Sequence, residues 1–174
     1  GNGGLYDAEN HFPNYIIQTA ALNESVNSLN ENGMVIDIFK DAKKACENFS
    51  NIKSNNFLPY AMAALWAKQN RLNDALLLNN FERVADATMA NIFIFKNKII
   101  QTPALTEGCI AGTMRRYLLK CFKENNMDYE ETQLSIEDIY TASEIFFTNS
   151  IFGIKWVKRA GTKEYQKDKT KILH

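Results

Sequence analysis

The sequence predicts an α/β or α+β fold built on a mixed sheet or a barrel. Short apolar runs rich in β-branched and aromatic residues recur along the chain, helix-forming stretches fall between them, and two of the runs lie close enough for a hairpin. With 174 residues, no internal repeat and no low-complexity linker, residues 1–174 read as a single domain.

Taken in order, residues 15–20 read as a buried strand and residues 34–39 as a second, with a polar, turn-rich connection between them. Residues 40–56 carry Asn48, Ser50, Asn51, Ser54, Asn55 and Asn56 and read mostly as loop. Pro59 suits the first turn of a helix, where its missing N–H costs nothing. The alanine- and leucine-rich run behind it continues that helix to about Arg71, with Met62, Leu65 and Trp66 as a stripe expected to face the core. Residues 74–79 form another short strand, and residues 91–95 and 98–102 flank Lys96-Asn97 as a hairpin. Gly112 opens a helix that runs through Phe122. Ser135, with Asp138 three positions on, reads as an N-cap pair before a short helix. Residues 144–148 and 154–157 are strand-like.

Composition removes several function classes. Hydrophobic residues at 45% and charged residues at 23% exclude a disordered chain or a disulfide miniprotein. Twenty basic residues balance twenty acidic ones, so nothing electrostatic points to nucleic acid or an anionic membrane as the main partner. The lysines near the C-terminus (Lys163, Lys167, Lys169, Lys171) read as a solvated tail. No apolar run approaches the ~20 residues of a membrane helix, and Gly1-Asn2-Gly3-Gly4 lacks the pattern of a signal peptide. Cys46, Cys109 and Cys121 are odd in number and widely spaced, which supports neither a zinc ribbon nor a disulfide framework; a reducing, cytoplasmic setting is expected. The two histidines, His11 and His174, lie near opposite ends of the chain, so neither a His-based metal site nor a Ser-His-Asp triad is expected.

The order of five segments says more than composition. Asn51-Ile52-Lys53-Ser54-Asn55-Asn56-Phe57-Leu58-Pro59 precedes a helix. Val84-Ala85-Asp86-Ala87-Thr88-Met89-Ala90-Asn91-Ile92-Phe93 follows about thirty residues later, then Thr102-Pro103-Ala104-Leu105, then Gly108-Cys109-Ile110-Ala111-Gly112-Thr113-Met114-Arg115. Finally Ala142-Ser143-Glu144-Ile145-Phe146-Phe147-Thr148-Asn149-Ser150 leads into the last strand. In this order and spacing the segments resemble the class IV aminotransferase family, the fold type IV pyridoxal-phosphate enzymes. These include branched-chain and D-amino-acid transaminases and 4-amino-4-deoxychorismate lyase. The resemblance covers the chain from about Gly3 to Val157.

The resemblance implies a role for each segment. Lys53, one of fifteen lysines, stands where the family carries its cofactor lysine and is expected to form the internal aldimine with pyridoxal 5'-phosphate. Such an amine must be desolvated or lie near positive charge to be deprotonated part of the time. Asp86 stands where the family has a glutamate beside the pyridine nitrogen, and it is one methylene shorter. A carboxylate there keeps the nitrogen protonated and the ring an electron sink. Gly112, Thr113 and Met114 match the helix start that holds the phosphate on backbone N–H groups. Met114 replaces a hydroxyl-bearing residue there, and Thr148, Asn149 and Ser150 match the second phosphate loop, with Ser150 the expected donor. Ile110 is expected against the ring face, and Met89 and Ala90 at the substrate pocket; Arg115 is expected to be structural.

The same resemblance implies an aminotransferase acting on an amino acid and a keto acid, with the lyase of the 4-aminobenzoate pathway or a non-catalytic scaffold as alternatives. Met114 before Arg115 is similar to lyase members; the shortened Asp86 motivates the scaffold reading. Family members are homodimers that place a smaller domain ahead of this one. The chain therefore reads as the larger, C-terminal, cofactor-binding domain, with weakened or absent cofactor binding and activity expected of it alone.

Overall fold

Period-two alternation in the strands decides how the molecule is layered. The computed structural model describes residues 10, 12–22, 26 and 28–174. Its elements are β1 (Met34–Lys44), α1 (Leu58–Gln69), β2 (Asp74–Asn79), β3 (Val84–Ala87), β4 (Asn91–Lys96) and β5 (Ile99–Pro103). They continue with α2 (Thr113–Glu124), β6 (Tyr129–Thr132), α3 (Ile136–Thr141), β7 (Glu144–Asn149), β8 (Gly153–Ala160), β9 (Lys163–Glu164) and α4 (Asp168–Leu173). One mixed sheet runs β3-β2-β1-β8-β7-β4-β5-β6, with β9 beside β8. β1 is parallel to β2 and β8, and β5 to β6; the remaining pairs are antiparallel. The sheet curls until its β3 edge is bridged by Leu134, just past β6 at the other edge, where Val84 N–H donates to Leu134 O at 2.8 Å. This mixed, barrel-like α/β architecture is the one expected.

Alternate side chains go to opposite faces of a strand. Ile36, Ile38, Leu76, Leu78, Ile92, Ile94, Ile145 and Phe147 fill the concave core. Their neighbours in sequence face outward. Phe93, Phe95 and Phe146 take Leu118 and Phe122 of α2, and Phe93 stacks on Phe146 with centroids 5.0 Å apart. Phe39, Ala75 and Leu77 take Ala63 and Ala67 of α1. Both helices are thus fixed by apolar rows that the strands present, which sets where their N-termini fall.

Several expectations are corrected. Residues 15–20 form no strand; Tyr15, Ile16 and Ile17 are about four-fifths exposed, and no strand among the described residues pairs with them. β1 continues through residues 40–44, which had read as loop, because it resumes pairing with β2 beyond an irregularity between Phe39 and Lys43. The hairpin turn falls on Asn97 and Lys98, one residue later than expected, both with positive φ. β3 and the polar edge strand β6 had no periodic signal to announce them. On α1, Met62 and Leu65 are exposed, and only Trp66 of the expected stripe packs, against Phe39. The C-terminal lysines are not a free tail. Lys167 lies 4.7 Å over the Trp156 ring, and the Glu144 carboxylate accepts the N–H groups of Lys169 and Thr170 at the start of α4. The capping box at Ser135 and Asp138 forms as expected. No helix among the described residues is long and apolar enough to cross a membrane. Gly1–Gly4 and His11 lie outside the described residues.

Phe146 is fully buried between the Phe93 ring and α2. Phe146→Ala is expected to cost about 3–5 kcal/mol, read as a lowered midpoint in denaturant unfolding.

Candidate active site

β3 is only four residues long, yet all four are buried. It is held by pairing of Leu77 with Asp86 on one side and by the tight turn into β4 on the other, where Ala87 N–H meets Ala90 O. This places the Asp86 carboxylate in the interior, 1% exposed. Such a group must be met by donors. Oδ1 accepts from Asn91 Nδ2 at 2.9 Å; Oδ2 accepts from the Tyr60 hydroxyl at 2.9 Å and from Ile110 N–H at 2.8 Å. Lys44 Nζ stands 3.7 Å from Oδ2. An ionised carboxylate offers about four lone-pair positions; these three hydrogen bonds leave one, on Oδ1.

Asn91 organises the next part. Its amide donates to Ile110 O at 2.8 Å, and its Oδ1 would lie 2.2 Å from a Cβ built on Gly112. Only glycine allows the chain this approach before α2 begins. Gly112 is the N-cap and makes no side-chain cap, so the first N–H groups of the twelve-residue α2, on Thr113 and Met114, stay available. The loop before α1 is tied to the same segment. Ala111 N–H donates to Asn51 O at 2.9 Å, and Asn51 Nδ2 donates to Leu105 O and Cys109 O. Lys53 follows two residues later.

The structure therefore brings together Asp86, Ile110, Gly112 and the turn carrying Lys53. Lys53 itself is exposed, like all of residues 52–58, and no described residue bonds to its amine. The expected desolvation is absent because nothing among the described residues covers this turn. Thr113 is exposed, and Met114 is turned toward the Phe93 cluster. The Asn149 side chain is committed to its own loop: Nδ2 donates to Met89 O, and Oδ1 accepts from Ile151 and Phe152 N–H. Ser150 and Met89 are exposed, and Ala90 is buried. Arg115 is a buried tie to Pro103 O and the Glu131 carboxylate, the structural part expected for it.

Sequence reasoning missed Lys44, Tyr60 and Asn91. Lys44 is 8% exposed, its amine donates to Ser50 O at 2.8 Å, and it lies 5.1 Å over the Tyr60 ring. Burial pushes Lys44 down from its ordinary value, against the pull of Asp86. Burial pushes Asp86 up to about 6, opposed first by Lys44 and then by its hydrogen-bond donors. The same burial, with the Asp86 charge, holds Tyr60 well above the usual tyrosine value, so its hydroxyl stays a donor. No signal in a Lys-Asp-Ala-Lys-Lys run singles out Lys44. Asn91, opening an apolar strand directly after the Asp86 segment, could have been noticed.

An amine on a tethered turn, an uncapped helix start and a buried carboxylate with one acceptor position left match the three polar ends of pyridoxal phosphate: aldehyde, phosphate and ring nitrogen. Thr148 Oγ1, cross-strand from Asn91, is a further buried polar atom without a partner among the described residues. No cluster of metal-ligating side chains occurs among the described residues. The donor set fits an organic cofactor.

The family model for amino-transferase class IV matches residues 1–160. The chain belongs to the class IV aminotransferase family, whose members are pyridoxal-phosphate aminotransferases and lyases. It is 33% identical over 99 residues to a provisionally named branched-chain-amino-acid aminotransferase of Methanocaldococcus jannaschii, covering 57% of this chain and 34% of that protein. It is 28% identical over 116 residues to the aminodeoxychorismate lyase of Vibrio harveyi, covering 67% and 43%. A provisionally named 4-amino-4-deoxychorismate lyase structure from Legionella pneumophila superposes with a TM-score of 0.75 at 27% identity, covering 84% of this chain and 56% of that one. The chain spans less than half the length of the two sequence relatives.

The raised value of Asp86 predicts a pH signature in stability. An unfolded aspartate titrates near 3.8 and the folded one at about 6, so the native state binds more protons between these values. This group therefore destabilises the fold above about pH 6, and its penalty fades as pH falls toward 4. Relative to the parent, Asp86→Asn should lose a pH dependence on the order of 3 kcal/mol across that window, measured by chemical unfolding at a series of pH values.

Proposed function

We propose that this chain is the cofactor-binding domain of a pyridoxal-phosphate aminotransferase acting on an amino acid and a keto acid. The observation that carries the reading is the hydrogen bond from Ala111 N–H to Asn51 O. It sets the Lys53 turn against the segment whose Ile110 binds Asp86 and whose Gly112 opens α2. In this reading Lys53 holds the cofactor through its amine, and Asp86 holds the ring nitrogen. The N–H groups of Thr113 and Met114, with the Asn149 and Ser150 loop, hold the phosphate. Ile110 lies against the ring, and Met89 and Ala90 border the substrate side. When bound, the cofactor supplies an electron sink for negative charge at the substrate α-carbon.

Lys53 does the proton work. Once free and desolvated by the bound cofactor and substrate, its amine on the tethered turn takes the α-proton and returns it as general base and acid. Lys44 is no substitute. The aldehyde carbon of pyridoxal lies across the ring from the nitrogen, and an amine 3.7 Å from the Asp86 carboxylate sits at the nitrogen end. The proposed working assembly is a homodimer in the cytoplasm, with the protein's remaining pocket walls supplied from outside this domain.

A second reading, 4-amino-4-deoxychorismate lyase, is supported by Met114 before Arg115 and by the relatives of that name. Keto-acid formation from branched-chain amino acids or D-alanine, set against release of an aromatic amine from aminodeoxychorismate, separates the two.

Borohydride treatment of the full-length protein mixed with pyridoxal phosphate should leave a mass adduct on the peptide containing Lys53. Lys53→Ala should lose the adduct, with turnover falling by about 10²–10⁴ or more. An adduct on another lysine would overturn the assignment, and no adduct in the parent would favour the non-catalytic scaffold. Cofactor retention should weaken as pH falls through about 6, where Asp86 becomes protonated.

A further inference from the structure

We propose that Lys44 and Tyr60 are positioning residues for Asp86: converging on Oδ2 from β1 and α1, they hold it as a carboxylate and leave the open position of Oδ1 for a ring nitrogen. The proposal deepens the functional reading above and rests on it for the identity of what Oδ1 meets.

The backbone is arranged to put Lys44 there. Phe39 pairs with Leu77 and Lys43 with Leu78, so Lys40, Asp41 and Ala42 are extra residues in β1 where β2 has none. Irregularities of this kind re-aim side chains beside functional sites. Past it, β1 returns to register and delivers Lys44 opposite Asn79, into the interior. A buried ammonium is costly, and an apolar side chain of similar volume would serve packing at least as well. What Lys44 gains is an ion pair with Asp86, one hydrogen bond to Ser50 O and the face of the Tyr60 ring. None of these binds the core together.

Asp86 needs such support because it is short and enclosed. The groups facing it are Lys44 from β1, Tyr60 from α1, Asn91 from β4, and Ile110 N–H and the Cys109 thiol from the segment before α2. Cys109 is pushed up to about 12 and stays a neutral thiol, Tyr60 stays a neutral hydroxyl, and Asn91 carries no charge. Lys44 is the one cation in this set. Without it, desolvation favours the neutral acid, which cannot hold a ring nitrogen in its protonated form.

The test is read on Asp86 itself, in cofactor-free protein, from the ¹³C resonance of its carboxyl group against pH. The parent should titrate at about 6. In Lys44→Met the midpoint should rise by about one pH unit or more, and Lys44→Arg should bring it back toward the parent. In Tyr60→Phe it should also rise, by less. A Lys44→Met midpoint within a few tenths of the parent overturns the proposal. The Lys44 ¹⁵Nζ resonance of the unmutated protein gives an independent reading if Lys44→Met does not fold. It should step at the Asp86 midpoint; a flat trace there overturns the proposal equally. The acid limb of cofactor retention should move upward with the midpoint in Lys44→Met. If the full-length parent retains no pyridoxal phosphate at all, the functional reading fails, while the Asp86 titration still decides what Lys44 does.

Discussion

A carboxylate placed inside a protein stays charged only if fixed donors replace the water it has lost. At Asp86 that demand is met from four separate parts of the chain: the end of β1, the first turn of α1, the start of β4 and the segment before α2. Each donor is at its post because of a feature of the fold rather than a local preference. The curl of the sheet carries β3 inward, the irregularity in β1 carries Lys44 past its expected place, and the glycine at 112 lets Asn91 approach the chain. The cluster is therefore a consequence of the whole barrel, and its removal would leave charged and polar groups buried without partners.

Apolar alternation supplies the rigidity behind it. One set of strand residues fills the concave core, and the intervening set seats α1 and α2 through Ala63, Ala67, Leu118 and Phe122. Seating the helices fixes their N-termini, and both termini border the site: α1 brings Tyr60, and α2 brings its free N–H groups. The Lys53 turn is held differently. It is tethered at Asn51 and open from residue 52 to residue 58. The carboxylate is fixed from four elements while the Lys53 amine stands on an exposed turn, a division that suits the proposed role of an amine that must both hold a group and move a proton.

Much of this was legible in the sequence. Short apolar runs announced β2, β4, β7 and β8, and a proline, a glycine and a capping box marked the starts of three helices. The motif order named Lys53, Asp86, Ile110 and Gly112, and the structure draws the segments that carry them to one place. Residues 15–20 misled, because β-branched composition describes what a strand could be made of and not whether a partner lies beside it. β3 was hidden since four residues with a central aspartate have no measurable period. Lys44 was invisible for a further reason: its burial depends on a strand irregularity, and irregularities leave no trace in composition. Solvent exposure of Lys53 was not foreseen, since covering a turn requires something outside the turn.

The most direct measurement of the central claim, that Asp86 serves a cofactor ring from inside the barrel, is the ¹⁵N resonance of the ring nitrogen in protein loaded with ¹⁵N-labelled pyridoxal phosphate. The account predicts a protonated nitrogen near neutral pH that becomes unprotonated in Asp86→Asn. A nitrogen that is unprotonated in the parent, or unchanged by that substitution, would contradict it.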